Sequence, residues 1–229
     1  MKPLPASSPQ PSLTDVWNGM IAIQQQKLVR SIGVSNYSIS KLKQLEEMAV
    51  TPAVNQVELH PLCRQEKLLA YCSSVGIHCT AYSPLGTPGS EWLGTNVKAV
   101  LDNGVIKAVA ERTKRTPAQI LLRWGLQRGT SVIPKSVSAE RIASNFKVID
   151  FQLSEEDMQL LSSIEPQVRM LSGSAWVRPD GWYTTNQMLF DDDDPSMLPC
   201  SSPVPEVGAP GTRSPEGSPV PAQSPSSAI

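Results

Sequence analysis

The residues best suited to chemistry lie in one stretch, Ile133-Pro134-Lys135-Ser136-Val137-Ser138-Ala139-Glu140-Arg141-Ile142-Ala143-Ser144-Asn145. Thr130 to Ile133 reads as a buried strand. A short turn follows, and Ser138 stands where its hydroxyl can accept a hydrogen bond from a free amide of the first helical turn. Lys135, Ser136 and Arg141 gather at that helix start. Two cations, a hydroxyl and unpaired backbone amides in one place suit a phosphate. The same residues also read as solvated surface charges beside a helix, so the rest of the chain must decide between the two.

The elements that would position this cluster alternate between helix and strand. Ser12 or Thr14 can cap a helix running to about Lys27, with Val16, Met20 and Ile23 as its apolar stripe. Val29 to Val34 reads as a short strand closed by Ser35-Asn36. A helix over Ser40 to Met48 follows, then a strand at Ala53 to Val57, broken at His60-Pro61. Gln65 to Ser74 reads as a helix, and Ile77 to Tyr82 as a strand ended by Ser83-Pro84-Leu85-Gly86. After a loop carrying Pro88, Gly89, Trp92 and Gly94 come helices over Gly104 to Thr113 and from Thr116-Pro117, a cap followed by proline at the first helical position. The strand at Thr130 to Ile133 and the helix to Phe146 come next, and a last helix opens at Ser154. Strands starting near Val29, Ala53 and Ile77 lie about 25 residues apart, which is βα-unit spacing and argues for a parallel sheet.

Four such units are countable, whereas a closed barrel needs eight and typically roughly 250 residues. The direct reading is therefore a four-stranded sheet with two open edges, at the strands near Val29 and Thr130, and open edges invite self-association. An apolar inner face including Val34, Val54, Val57 and Val132 would then require cover from a second chain.

Composition bounds the rest. The 229 residues carry a net charge of -1, with 40% hydrophobic residues. This leaves no basic surplus for nucleic acid and no apolar run able to span a bilayer. Met1 to Ser12 is Pro/Ser-rich and lacks the apolar core of a signal peptide. The four cysteines (Cys63, Cys72, Cys79, Cys200) show no C-x-x-C pairing, and only two histidines accompany them. The expectation is reduced thiols, no metal site and a cytoplasmic location. Many of the 21 prolines fall after Pro195, so residues 191–229 are expected to be a disordered Pro/Ser-rich tail. Residues 1–12 are expected to be a disordered extension. The run Asp191 to Asp194 reads as a solvated boundary.

Four ordered motifs now resemble the aldo-keto reductase family. Met20, nine residues, then Arg30-Ser31-Ile32-Gly33-Val34-Ser35-Asn36-Tyr37 is similar to one of its signatures. A second is Ile133-Pro134-Lys135-Ser136, four residues, Arg141, two residues, Ser144-Asn145. Asn55-Gln56-Val57-Glu58 and Ala81-Tyr82-Ser83-Pro84-Leu85-Gly86 lie between them in the family's order and spacing. The resemblance runs from about Leu13 to Phe190. It implies a domain over residues 13–190 that forms an incomplete (β/α)8 TIM barrel, about four βα units equivalent to strands five to eight.

The resemblance further implies NADP(H)-dependent reduction of a small-molecule aldehyde or ketone. Ser35, Asn36 and Gln56 would bond the nicotinamide carboxamide, and Tyr82 would stack on its ring. Ser83, Leu85 and Thr87 would line the pyrophosphate path. Lys135, Ser136 and Arg141 would hold the 2'-phosphate, and Asn145 the adenine; cations around the ribose favour NADP over NAD. In the clamping loop Gly89 stands where many members carry an acid. Trp176, Trp182 and Tyr183 fall where the family's C-terminal loop lines the substrate pocket; they also read as ordinary packing. His60 reads as structural. The family's catalytic Asp, Tyr, Lys and His belong to the first half of its barrel, and none has a counterpart here. The expectation is no catalytic residue and an inactive chain. Three readings stand: a shortened product of a reductase, an NADP-binding pseudoenzyme, and a half-barrel interaction protein.

Overall fold

The computed structural model describes residues 11–86, 98–171, 173, 176–178 and 183–190. The expected N-terminal extension, apart from Pro11 and Ser12, and the expected tail at 191–229 lie outside them, as do Thr87, Gly89, Trp92, Gly94 and Trp182.

Helix α1 (Leu13–Gln25) begins as its sequence predicts. The Ser12 hydroxyl accepts from the Asp15 amide, and the Asp15 carboxylate accepts from the Ser12 amide, a reciprocal cap that satisfies two orphan donors. Its inward face carries Trp17 and Ile21, buried against Ile32 and Leu45, and the Trp17 indole donates to the Val50 carbonyl at 2.8 Å. Next come β1 (Val34–Ser35), α2 (Ile39–Lys43), β2 (Val54–Glu58), α3 (Glu66–Ser74) and β3 (His78–Tyr82). The longer connection after β3 includes α4 (Lys98–Leu101), α5 (Gly104–Thr113) and α6 (Pro117–Gln127). Then follow β4 (Ser131–Val132), α7 (Ala139–Phe146), a 3-10 turn (Lys147–Asp150), α8 (Glu155–Ser162) and α9 (Asn186–Phe190). The four strands form one parallel sheet in the order β1-β2-β3-β4.

Both outer strands are shorter than their sequence pattern suggests. β1 keeps two paired residues rather than the stretch from Val29, and β4 two rather than four. Each has a strand on one side only, and the contact continues as single bonds, Ala53 N to Ile32 O and Ile133 N to Ala81 O. The helix expected to reach Met48 ends at Lys43, and bonds from Leu45, Glu46 and Met48 back three residues replace the α ladder. The helices α4 and α9 were not foreseen from the pattern.

The apolar face is on the helical side. Val57, Cys79 and Ala81 are buried under the helices, with Val34 and Val132 packed against the same core. The helices α5, α6 and α8 close over it, and Trp124, fully buried, donates to the Ser162 hydroxyl. Gly33 permits the close approach of β1 to β2, since a Cβ there would meet the Val54 carbonyl oxygen at 2.7 Å. The opposite face carries Gln56, Glu58, Thr80 and Tyr82 along β2 and β3 and Ser131 on β4, bonded to Thr80 at 2.7 Å. The expectation of an apolar inner face is thereby corrected. Strand alternation puts one side chain up and the next down, so Val34, Val57 and Val132 go to the helices, whereas Val54 shares the face of Gln56 and Glu58.

Candidate functional site

Parallel strands deliver their C-terminal ends to one rim, and the motif residues lie along it. At the end of β1 the Ser35 hydroxyl donates to the Gln56 carbonyl at 2.9 Å, and the Asn36 amide donates to the same oxygen at 3.0 Å. Asn36 adopts a left-handed φ of 58°, a conformation that Asn tolerates better than most residues. This turn aims its side chain at the end of β3, where the Tyr82 phenol donates to Asn36 Oδ1 at 2.9 Å. Gln56 sits between Ser35 and Thr80 in the ladder. Ser83 also has a positive φ, 47°, and its carbonyl accepts from the Gly86 amide in a tight turn that holds Leu85.

Leu85 forms one wall of a cavity of about 530 Å³, whose other lining includes Lys135, Ser136, Arg141 and Asn145. The cap of α7 builds this wall. The Ser138 hydroxyl accepts from the Arg141 amide, and the Ser138 amide donates to the Ser136 hydroxyl. The Ser136 hydroxyl donates in turn to the Ser138 carbonyl at 3.5 Å, and the Lys135 and Arg141 side chains stand exposed at the cavity. Such a donor set matches a phosphate group. Thr116 and Ala118, at the start of α6, complete the opposite wall; in the sequence they signalled only a helix start.

Five of the predicted residues, Leu85, Lys135, Ser136, Arg141 and Asn145, therefore share one cavity. The other five, Ser35, Asn36, Gln56, Tyr82 and Ser83, form a second group along the ends of β1 to β3, joined to the first through the Ser83–Gly86 turn.

A buried cluster that spacing alone does not reveal supports this second group. Glu58 and His60 are both fully buried, with Nε2 of His60 donating to the Glu58 carboxylate at 2.9 Å. The amides of Met170 and Leu171 donate to the same carboxylate at 2.6 and 3.0 Å. Burial pushes the Glu58 carboxyl up, but the His60 bond, the charges of His60 and Arg169 and the Leu171 amide outweigh it and hold it below its ordinary value. The crossing segment is pinned to the sheet here. Just before it the Arg169 guanidinium stacks 3.9 Å from the Phe190 ring centroid, and further along the Lys41 ammonium donates to the carbonyls of Met188 and Leu189.

The tyrosines have other commitments than proton donation. The Tyr82 phenol is raised, chiefly by burial. Tyr71 donates to Glu46 and is raised to about 12, first by burial and then by that carboxylate. Tyr37 is raised by burial and by Tyr183. Lys41 lies 5.0 Å from the Tyr183 ring centroid, over its face. None of these contacts is a phenol–ammonium hydrogen bond. Trp176 is exposed.

Among the described residues no helix is long and apolar enough to cross a membrane. The chain is 42% identical over 183 residues to aldo-keto reductase family 4 member C11 of Arabidopsis thaliana, covering 79% of this chain and 57% of that protein. It is 42% identical over 157 residues to methylglyoxal reductase DkgA of Salmonella typhimurium, covering 68% and 54%. Among solved structures it resembles MGS-M4, an aldo-keto reductase enzyme from a deep-sea metagenome library, with a TM-score of 0.61 and 34% identity over 66% of this chain and 53% of that one. The chain thus spans about half the length of the relatives it matches. The model of the aldo/keto reductase family matches residues 5–166, starting before and ending short of the stretch marked by the motifs; with that match over the parallel sheet and its rim, the chain belongs to the aldo/keto reductase family.

Proposed function

We propose that this chain is the cofactor-holding part of an NADP(H)-dependent carbonyl reductase, equivalent to strands five to eight of the family barrel. The observation that carries the reading is the cavity of about 530 Å³ where Lys135, Ser136, Arg141 and Asn145 meet. Two cations and a hydroxyl fit the 2'-phosphate of NADP(H), with Asn145 toward the adenine. Ser35, Asn36, Gln56 and Tyr82 would receive the nicotinamide end, with Ser83 and Leu85 between. NADPH, when bound, supplies the hydride; these residues bind and orient it.

By itself the chain is a binder and not a catalyst. Reduction of a carbonyl needs a proton donor whose pKa is brought down by a neighbouring cation, whereas Tyr37, Tyr71 and Tyr82 are all pushed up. Titration of purified protein with NADPH and NADH, followed by nucleotide fluorescence, tests the binding. NADPH must bind more tightly than NADH, and no NADPH may be consumed on adding a reactive aldehyde. Equal affinities would remove the phosphate assignment, and aldehyde-dependent turnover would remove the inactive reading.

A second reading, self-association, is favoured by α7 and the turn before it. Val137, Ile142 and Phe146 are 82%, 53% and 74% exposed there, and α7 buries none of its residues. An exposed apolar helix face invites another chain, as does the unpaired outer edge of β4.

A further inference from the structure

Two helices face each other across the phosphate-type cavity. α6 contributes Thr116 and Ala118 at its start, and α7 contributes Arg141, Ser144 and Asn145. One buried amide, that of Gln119, ties them together. Gln119 is the third residue of α6 and only 6% exposed. Its Oε1 accepts from the Thr116 amide at 3.1 Å, while its own backbone amide donates to the Thr116 hydroxyl at 3.2 Å. That reciprocal pair caps the start of α6. The other end of the same side chain leaves the helix: Nε2 donates to the Ser144 carbonyl at 3.0 Å. Ser144 lies toward the end of α7, where carbonyls lose their partners in the helical ladder; the Lys147 amide donates there too.

The tie matters because α7 has no buried face to fix it. Its first turn is anchored through Ser138 and Ser136, next to Lys135. Its last turn, which carries Asn145, leans on α6. Gln119 holds it at Ser144, and one turn on Arg123 donates to the Val148 carbonyl at 3.3 Å. A glutamine suits the post because its amide offers an acceptor to one helix and a donor to the other at once. A glutamate would keep the acceptor, and so the cap of α6, but would turn a second acceptor toward the Ser144 carbonyl. The change Gln119→Glu therefore separates the cap from the tie.

We propose that Gln119 is a positioning residue of the nucleotide cavity: its side-chain amide holds the last turn of α7, and with it Asn145, at the spacing from α6 that grips the adenine end. Gln119 is not itself part of the cavity lining, so it acts through Ser144 and Asn145 and touches no nucleotide atom. The inference rests on the reading of this cavity as the seat of the adenosine 2'-phosphate end of NADP(H). Lys135 and Ser136, held from the β4 side, stay in place when the tie is cut.

Calorimetric titration of the full chain with adenosine 2',5'-bisphosphate tests this, with urea unfolding of each variant beside it. Gln119→Glu is expected to stay folded and to weaken the ligand roughly five- to tenfold, the scale of one displaced hydrogen-bonding group. The decisive readout is coupling. With Asn145→Ala already present, Gln119→Glu should cost nothing further; with Lys135→Ala present, the two losses should add. A general loss of structure would not distinguish the two backgrounds. If Gln119→Glu proves unfolded, Gln119→Met, of similar volume and without charge, decides the case in the same way. The proposal alone is overturned if the parent binds and the variant binds equally, or if the loss adds in full on the Asn145→Ala background. A parent chain that does not bind adenosine 2',5'-bisphosphate overturns the reading of the cavity, and the proposal with it.

Discussion

The Tyr82 phenol and the Asn36 side-chain oxygen are 2.9 Å apart, a bond that ties the end of β3 to the end of β1 across the intervening β2. Asn36 can serve because its left-handed backbone turns the amide toward the sheet. Tyr82→Phe removes the donor and is predicted to cost about 1 kcal/mol of stability, the net worth of a typical hydrogen bond. Asn36→Ala loses the acceptor and also strains a positive φ, so its cost is predicted to be about twice as large. Urea unfolding of both single variants and the double variant measures this. If the two losses simply add, the residues are not coupled and the bond is not what holds the rim.

Lys135 and Arg141 are predicted to discriminate between nucleotides. Removing one charge-assisted bond to a phosphate costs roughly 1.5–3 kcal/mol, which is about ten- to a hundredfold in affinity. Lys135→Ala and Arg141→Ala should each weaken NADPH by that factor while leaving NADH nearly unchanged, and added salt should shrink the difference. Calorimetric titration of both nucleotides against each variant reads it out. Equal losses for NADH and NADPH would mean that these cations serve the shared pyrophosphate and not the 2'-phosphate.

The sequence carried the order of the elements and the phosphate-type cluster, because both rest on local signals. Ser12, Thr116, Ser138 and Ser154 each begin a helix as hydroxyl caps do. Lys135, Ser136 and Arg141 lie within one turn and helix start, so their meeting needed no tertiary contact. What escaped was non-local. Glu58 finds Met170 and Leu171 more than a hundred positions away, and Thr116 reaches the cavity only because α6 packs beside α7. The facing of the valines was also misread. Val54 and Val57 stand three apart and so on opposite faces of β2, and no local feature says which of the two sides the helices will cover.

Glu58 makes stability depend on acid. Its carboxyl is held below the ordinary value in the fold, so its contribution is fully present above the unfolded pKa and is lost as pH falls through the folded one. The unfolded value is near 4.3, which places the window below roughly pH 4. Glu58→Gln removes the charge while keeping the shape. It is predicted to cost about 3 kcal/mol or more at neutral pH, as breaking a buried charged pair does, and to flatten the pH dependence in that window. Urea midpoints of parent and variant from neutral to acid pH check the sign; parallel curves would show that Glu58 does not titrate with unfolding.

The apolar flank of α7 should decide the state of association. Ile142 and Phe146 are one helical turn apart and both exposed, so they form a continuous stripe. If this stripe is an interface, the parent chain runs as a dimer or larger species in light scattering, and Ile142→Asp with Phe146→Asp shifts it to monomer. Neither residue is buried, so the double change should alter the unfolding midpoint little; surface substitutions usually stay within about 0.5 kcal/mol. NADPH affinity, which depends on the cavity side of the same helix, should also persist in the monomer. A parent chain that is already monomeric at high concentration would assign the stripe no partner among copies of this chain. Loss of NADPH binding on dissociation would instead show that the cavity is complete only when a neighbour is docked against α7.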